Sequence, residues 1–481
     1  MSNETTMGRE PLQVVELYQD RCVNTYGVSP CTAEVGVTGD IKCFNTEKTC
    51  QDPANYDGSG RIVWRFVRPD ANRPLDLYEV DGDDIRLNPI PSLQGVTTVP
   101  TRINAGGGDR NMQALGKRAS VTVTLKDHQY DDTGSDPYLS ERTYIASDRG
   151  TFWGKWLARN PYYAGWRIRV YDGYHGQNLS EMMVREYIIE SVNGPDANGR
   201  VQIKALDPLR LSDDTRALCP SPVSVRLRDA IDDSQTTGVV FVGNSADILT
   251  EQGEPGTGTY WARVDDEIIQ YTGATESPAG EWTLSGVVRG DLGSTADEHD
   301  ADESVGRVAR WTDRDVWAIM DDLLSDYTSV DVASYVPYAD WETEGLSFLS
   351  TYSLTGTVSE PTPVIDLLGE LCQQTLSYLY WDDRNQEIRF RALRPPEQTP
   401  AQLTDFANII ADSAQLRTEP DQRISRVVVY YNRRDGTGDL DEGSNYATIE
   451  FRVDGDAESQ YGQSRTRQIY SRWLTSDAQA Q

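Results

Sequence analysis

Histidine is scarce in this sequence: its 481 residues include only His128, His175 and His299. A histidine-based triad or a zinc hydrolase therefore has few routes, and neither HExxH nor GxSxG occurs. A Walker loop is also missing, because the glycines at 106–108 lack the Lys-Ser/Thr that would follow and read instead as a flexible turn. No apolar run reaches the roughly 18 residues a membrane-spanning helix needs. The first residues, MSNETTMGREPLQVVELYQ, carry neither a basic n-region nor an apolar h-region, so no secretory leader is expected. Positive charge is short: 45 Lys and Arg stand against 76 Asp and Glu, a net charge of −31. A surface of that sign does not grip nucleic-acid phosphates; solubility or a saline environment accounts for the bias. With so many carboxylates, a paired acid–base site does not stand out.

The composition does support folded cores. Hydrophobic residues make up 38% of the chain, with 11 Trp and 25 Tyr, and the length suits three or four domains. The most specific chemistry lies in the cysteines. Four of the six fall between Cys22 and Cys50 with the spacing C-x8-C-x11-C-x6-C, while Cys219 and Cys372 lie far away. Thiolates suit soft metals, so zinc and an iron–sulfur cluster are both open. Structural zinc usually uses pairs two to four residues apart, which neither outer spacing matches. Two disulfides are a further reading, favoured mainly in secreted compartments.

The words around these cysteines carry a resemblance. Leu17-Tyr18 precedes the first, Tyr26-Gly27 precedes the second, and CFNTxxTCQDPANY runs from Cys43 to Tyr56. The segment resembles the cysteine segment of tail-tip and baseplate hub proteins of long-tailed (siphovirus-type) bacteriophages. The tail-tip proteins L of lambda-like phages hold a 4Fe-4S cluster on cysteines with the same outer spacings and a longer middle gap. The resemblance implies that Cys22, Cys31, Cys43 and Cys50 bind the iron of a 4Fe-4S cluster.

The rest of the chain reads mainly as β with α+β parts. Residues 1–60 are an N-terminal lead and the cysteine segment, the lead over 1–20 being expected to be helical through Leu12, Val15, Leu17 and Tyr18. Residues 61–210 read as strands at 62–67, 120–125, 166–173, 185–192 and 199–206, separated by turn residues. A helix is expected over 149–161, its Phe152, Trp153, Trp156 and Leu157 packing in a core. This order resembles the first β-barrel of phage hubs. Residues 211–310 read as an inserted small β domain. Its RGDLGSTADEH segment resembles the RGxxGTxAxxH pattern of small β domains in phage tail proteins, through Arg289, Gly290, Gly293, Thr295, Ala296 and His299, with Ser294 fitting loosely. His299 among Asp297, Glu298, Asp300 and Asp302 is more simply a turn histidine in a solvated acidic loop than a metal ligand.

Residues 311–400 turn helical and then form a hairpin. One stripe runs Val316, Ile319, Met320, Leu323 and Leu324, with Asp313 as the expected cap. A second runs Val364, Leu367, Leu368, Leu371 and Leu376, with Cys372 as a buried small hydrophobe. The stretch YLYWDDRNQEIRFRAL reads as the hairpin, ahead of Pro395-Pro396. Residues 401–481 return to strands at 423–434 and 445–453, expected to build a second, possibly incomplete, β-barrel.

The resemblance further implies a non-enzymatic structural role in the virion. Three copies with two barrels each would form a pseudo-sixfold ring joining the tail tube to a central fibre. The implied partners are the other two copies of a homotrimer, a distal tail protein, a tape-measure protein and the central fibre or other tail-tip proteins. DNA would pass through the lumen without specific binding. Two other classes compete: an iron–sulfur oxidoreductase, which would need a second cofactor or substrate pocket, and a secreted disulfide-stapled adhesin, which the Trp, Tyr and short strands would suit.

Overall fold

A computed structural model describes residues 10–34, 38–69, 77–80, 84–87, 89–104, 115–213, 216–253, 256–394, 409 and 423–480. The fold is mainly β with α+β parts, and the chain divides into two compact units. The first comprises residues 1–101, 118–210 and 381–387; the second comprises 102–117, 211–380 and 388–481. The triple glycine at 106–108 and Pro395-Pro396 lie outside the described residues.

The first unit is organised by one curled sheet. Its strands are β1 (Pro11–Arg21), β2 (Gly60–Val67), β5 (Leu93–Val99), β6 (Ser120–Lys126), β7 (Arg167–Tyr174), β8 (Met183–Asn193) and β9 (Arg200–Leu206), in the order β2-β1-β7-β8-β9-β6-β5. A separate ladder pairs β3 (Leu77–Val80) with β4 (Asp84–Leu87). The sheet curls far enough for its two edges to meet. Ile90, three residues before β5, donates to Arg65 O at 2.7 Å and accepts from Val67 N at 3.0 Å, both on β2. Strand β6, SVTVTLK, alternates half-buried and buried residues, as a two-faced strand should.

The expected helical lead is instead β1. Val15 and Leu17 belong to the cluster inside the curled sheet, whereas Leu12 and Val14 belong to a second cluster with Val67, Tyr171, Leu179 and Met182. Burial on both faces removes the alternation that marks a strand and leaves an apolar cluster that imitates a helix stripe.

Helix α1 (Phe152–Arg159) supplies the middle of the core. Trp153 stacks on Phe66 at 5.6 Å, and Phe152 meets Trp64 edge-on at 5.1 Å. The Gln19 side-chain oxygen accepts from Trp64 Nε1 at 2.8 Å and Trp156 Nε1 at 2.9 Å, so both buried indole N–H groups are satisfied.

In the second unit, a short ladder joins β10 (Leu218–Cys219) to β20 (Thr362–Pro363), and a seven-stranded sheet follows β10 in sequence. That sheet contains β11 (Val225–Leu227), β12 (Val240–Val242), β13 (Tyr260–Val264), β14 (Glu267–Tyr271), β15 (Gly273–Glu276), β16 (Glu281–Ser285) and β17 (Ser304–Arg307), with the short α2 (Ser245–Ile248) between β12 and β13. Phe241, Ile269, Tyr271 and Trp282 lie in its core. Next come β18 (Ala309–Asp315), α3 (Val316–Tyr327), α4 (Val332–Tyr335), α5 (Tyr338–Phe348), β19 (Ser353–Val358), which pairs with β18, and α6 (Val364–Gln374).

The α3 stripe is buried as expected. Its N-cap, however, is Asp315, without a side-chain cap bond, while Asp313 stays in β18 with φ 47°. Leu376 was expected in the α6 stripe. It lies beyond the helix end with φ 50° and is exposed. The hairpin strands are β21 (Ser377–Asp382) and β22 (Glu387–Ala392). The last described stretch holds β23 (Arg426–Arg433), β24 (Tyr446–Val453), α7 (Gly455–Tyr461), β25 (Thr466–Tyr470) and α8 (Asp477–Ala480), with sheet order β24-β23-β25.

Candidate metal centre

The cysteine segment is the connection between β1 and β2. These strands pair from Val14↔Val67 to Arg21↔Gly60, so the chain leaves the sheet at Arg21 and re-enters it directly opposite. Between those points the described residues form only 3-10 turns, at Gly39–Ile41, Glu47–Thr49 and Pro53–Asn55. A connection this long without regular structure is uncommon in a compact domain and usually has a function.

Cys22, Cys31, Cys43 and Cys50 all line one pocket, with Tyr26, Ala33, Asn45, Asp52 and Tyr56 among its walls. No disulfide joins them. Backbone hydrogen bonds shape the pocket: Cys22 donates its N–H to Asn45 O at 2.9 Å, and Cys31 to Val28 O at 2.9 Å. Asn45 has φ 53°, a left-handed conformation that Asn tolerates better than most residues. Its Nδ2 donates to Cys22 O at 3.0 Å and Asn24 O at 3.1 Å, tying the turn after Cys43 to the segment carrying Cys22. Thr32 N donates to Asp52 Oδ2 at 2.6 Å, which joins the chain beyond Cys31 to the chain beyond Cys50.

The pocket leans on a segment remote in sequence. Arg142 and Asp136 form a fully buried pair, with Nε–Oδ2 at 2.8 Å and Nη2–Oδ1 at 3.0 Å. Burying two charges is costly unless the remaining donors are used. Here they are: Arg142 also donates to Gly39 O, to Lys42 O at 3.0 Å and to Cys43 O at 3.2 Å. Tyr138 packs edge-on against Tyr26 at 6.2 Å, and its hydroxyl accepts from Tyr26 N at 2.7 Å. The sequence offers no signal for these supports, since they stand about a hundred residues away and none carries chemistry of its own.

Burial pushes the Cys43 and Cys50 thiols above their ordinary range. Burial also lifts Tyr56 to about 12, with Cys22 adding to the effect. Loading a metal would therefore have to displace protons from these thiols. An N–H from Asp52 points at Cys50 Sγ at 3.4 Å, a contact that favours the thiolate form.

The four residues are of the type that a four-cysteine iron–sulfur cluster uses. The donor set is all sulfur, the four thiols converge on one pocket, and loops enclose them. Among the described residues no group of three or more His, Cys, Asp or Glu is placed so as to hold a metal ion.

His299 takes a different role from the solvated turn residue expected. It is buried, with Nε2 2.9 Å from Glu267 Oε2 and Nδ1 3.1 Å from Asp265 Oδ2. Arg289 holds Glu267 through two bonds, Nε–Oε1 at 2.6 Å and Nη2–Oε2 at 2.7 Å. The Ser294 hydroxyl accepts from Ile268 N at 2.8 Å and donates to Asp291 O at 2.8 Å. The structural hydroxyl of the motif is thus Ser294, not Thr295. The motif builds a turn tied together by hydrogen bonds to Glu267.

Residues 225–306 match a family described as Rcc01698-like, C-terminal. The matched range begins at β11 and reaches β17, so it coincides with the seven-stranded sheet of the second unit. No curated protein matches the chain.

Proposed function

We propose that this chain is a structural, non-catalytic hub of a bacteriophage tail tip, stapled by a 4Fe-4S cluster on Cys22, Cys31, Cys43 and Cys50. The observation that carries the reading is the position of those four thiols: one pocket, set in the β1–β2 connection of a curled sheet. Their outer spacings and surrounding words resemble those of tail-tip hubs, and all four are free thiols. When bound, the cluster supplies four sulfur–iron cross-links to a segment with almost no apolar core of its own. Among the described residues, its Tyr26 and Ala33 form a small buried cluster with Tyr138 from outside the segment. Arg142 and Asn45 hold the loop backbone in place around it.

On this reading the chain assembles as a homotrimer in the virion. Its ring joins the tail tube to a central fibre, beside a distal tail protein and a tape-measure protein. A net charge of −31 suits a lumen through which DNA passes without being held. Three copies with two barrels each would form a pseudo-sixfold ring that matches a sixfold tube to a threefold fibre. No helix among the described residues is long and apolar enough to cross a membrane.

Anaerobically purified protein should contain about four irons and four sulfides per chain, and should run as a trimer by native mass spectrometry. Cys43→Ser should lose the iron and open residues 22–59 to proteases while the far-ultraviolet β signal persists. Stoichiometric zinc without sulfide, or full iron in Cys43→Ser, would overturn the assignment.

A further inference from the structure

The second unit holds a cavity whose chemistry is opposite to that of the whole molecule. Its volume is about 220 Å³, and the eleven residues lining it include four arginines and no carboxylate. In a chain with 76 acidic residues and 45 basic ones, four guanidiniums around one cavity call for a reason. The fold sets them there from separate elements. Arg310 lies on β18 opposite Thr357 of β19, Arg433 ends β23, Arg434 follows it, and Arg472 stands just beyond β25.

Few of these charges are spent on internal partners. Among the described residues, one ion pair touches the four, Arg472–Glu370 at 3.0 Å. Arg310 donates to the Thr357 hydroxyl at 2.6 Å. Arg433 donates to Gly438 O, while its buried Nε has no hydrogen-bond partner among the described residues. Burial pulls the Arg310 and Arg433 guanidiniums below their ordinary range, and the nearby Arg472 lowers Arg433 further. Asp291 and Asp313 act on Arg310 and Asp435 on Arg433, each from outside the cavity wall. An unpaired buried donor on a cation is costly, and a ligand that accepts several N–H bonds removes that cost.

We propose that this cavity binds a phosphate-class oxyanion, held by Arg310, Arg433, Arg434 and Arg472 with the Thr355 and Thr357 hydroxyls as neutral partners. Guanidinium pairs match the tetrahedral oxyanion through parallel N–H bonds, which a halide cannot use. At about 30 Å³ per water, the cavity accommodates one such anion with several waters. The inference does not depend on the cysteine centre or on the role proposed for the chain.

The test is calorimetric titration of the full chain with inorganic phosphate, with ionic strength held constant by sodium chloride. Saturable binding is expected, with Arg433→Ala weakening it by about tenfold or more. Arg434 is exposed, so Arg434→Ala gives a second, well-folded variant that should also weaken binding. A short single-stranded oligonucleotide serves as competitor. Displacement of phosphate would identify a nucleic-acid backbone as the source, and no displacement would identify free phosphate. Absence of phosphate binding up to about 10 mM, or equal binding by wild type and both variants, would overturn the proposal.

Discussion

Glu267 gathers five contacts on two carboxylate oxygens: two from the Arg289 guanidinium, the Gly290 and Asp297 N–H groups, and the His299 ring. Burial alone would raise its pKa. The Arg289 bonds, then the Asp297 N–H, His299 and the Gly290 N–H, outweigh burial and bring it down to about 2 from the ordinary 4.5. A carboxylate whose folded pKa is depressed contributes stability above its unfolded pKa, and that contribution disappears as pH falls through the folded value. The window here runs from about pH 4.5 down to about 2, and the contribution is on the order of 3 kcal/mol. Acid unfolding should therefore steepen across that window. Glu267→Gln should lower stability at neutral pH and flatten the slope, because its amide cannot accept from Arg289 on both atoms. Parallel pH profiles for the two proteins would contradict this account.

Helices α3 and α5 meet at a glycine. A Cβ on Gly345 would lie 2.0 Å from the ring of Trp317, which is almost wholly buried. Ala improves helix propensity over Gly by about 1 kcal/mol. Overpacking a filled core costs about 1–3 kcal/mol, and a contact this close belongs at the upper end. Gly345→Ala should thus destabilise the protein by roughly 2 kcal/mol, seen as an earlier urea midpoint; a later midpoint would show that Trp317 yields freely. What was legible in the sequence follows the same division between local pattern and remote contact. Strand β6 alternates cleanly and α3 carries a single apolar stripe, so local pattern sufficed for both. Strand β1 was misread because both its faces are covered. The four cysteines were visible as a group, yet Arg142, Asp136 and Tyr138, which position them, were not. Buried supports of that kind depend on the tertiary path of the chain.

At the scale of the molecule, a charge of −31 sets two screening effects against each other. Salt weakens exposed ion pairs, each worth about 0–1 kcal/mol, and it also weakens repulsion among excess carboxylates. The Debye length shrinks from about 30 Å at 0.01 M to about 8 Å at 0.15 M. Long-range repulsion among many like charges is therefore relieved first. The melting temperature should rise with sodium chloride over that range, by about 2–4 °C for each kcal/mol regained; a flat or falling curve would show that the pairs dominate. The β1–β2 connection has a consequence of another kind. Because Arg21 and Gly60 face each other across one ladder rung, the two ends of the cysteine segment lie about 5 Å apart. A two-residue Asn-Gly turn spans the same gap. The whole cysteine insert could be excised and the hairpin rejoined without altering strand register. Conversely, it could be transplanted onto the hairpin of an unrelated sheet, provided that the host supplies a surface to replace Arg142, its buried partner Asp136, and Tyr138.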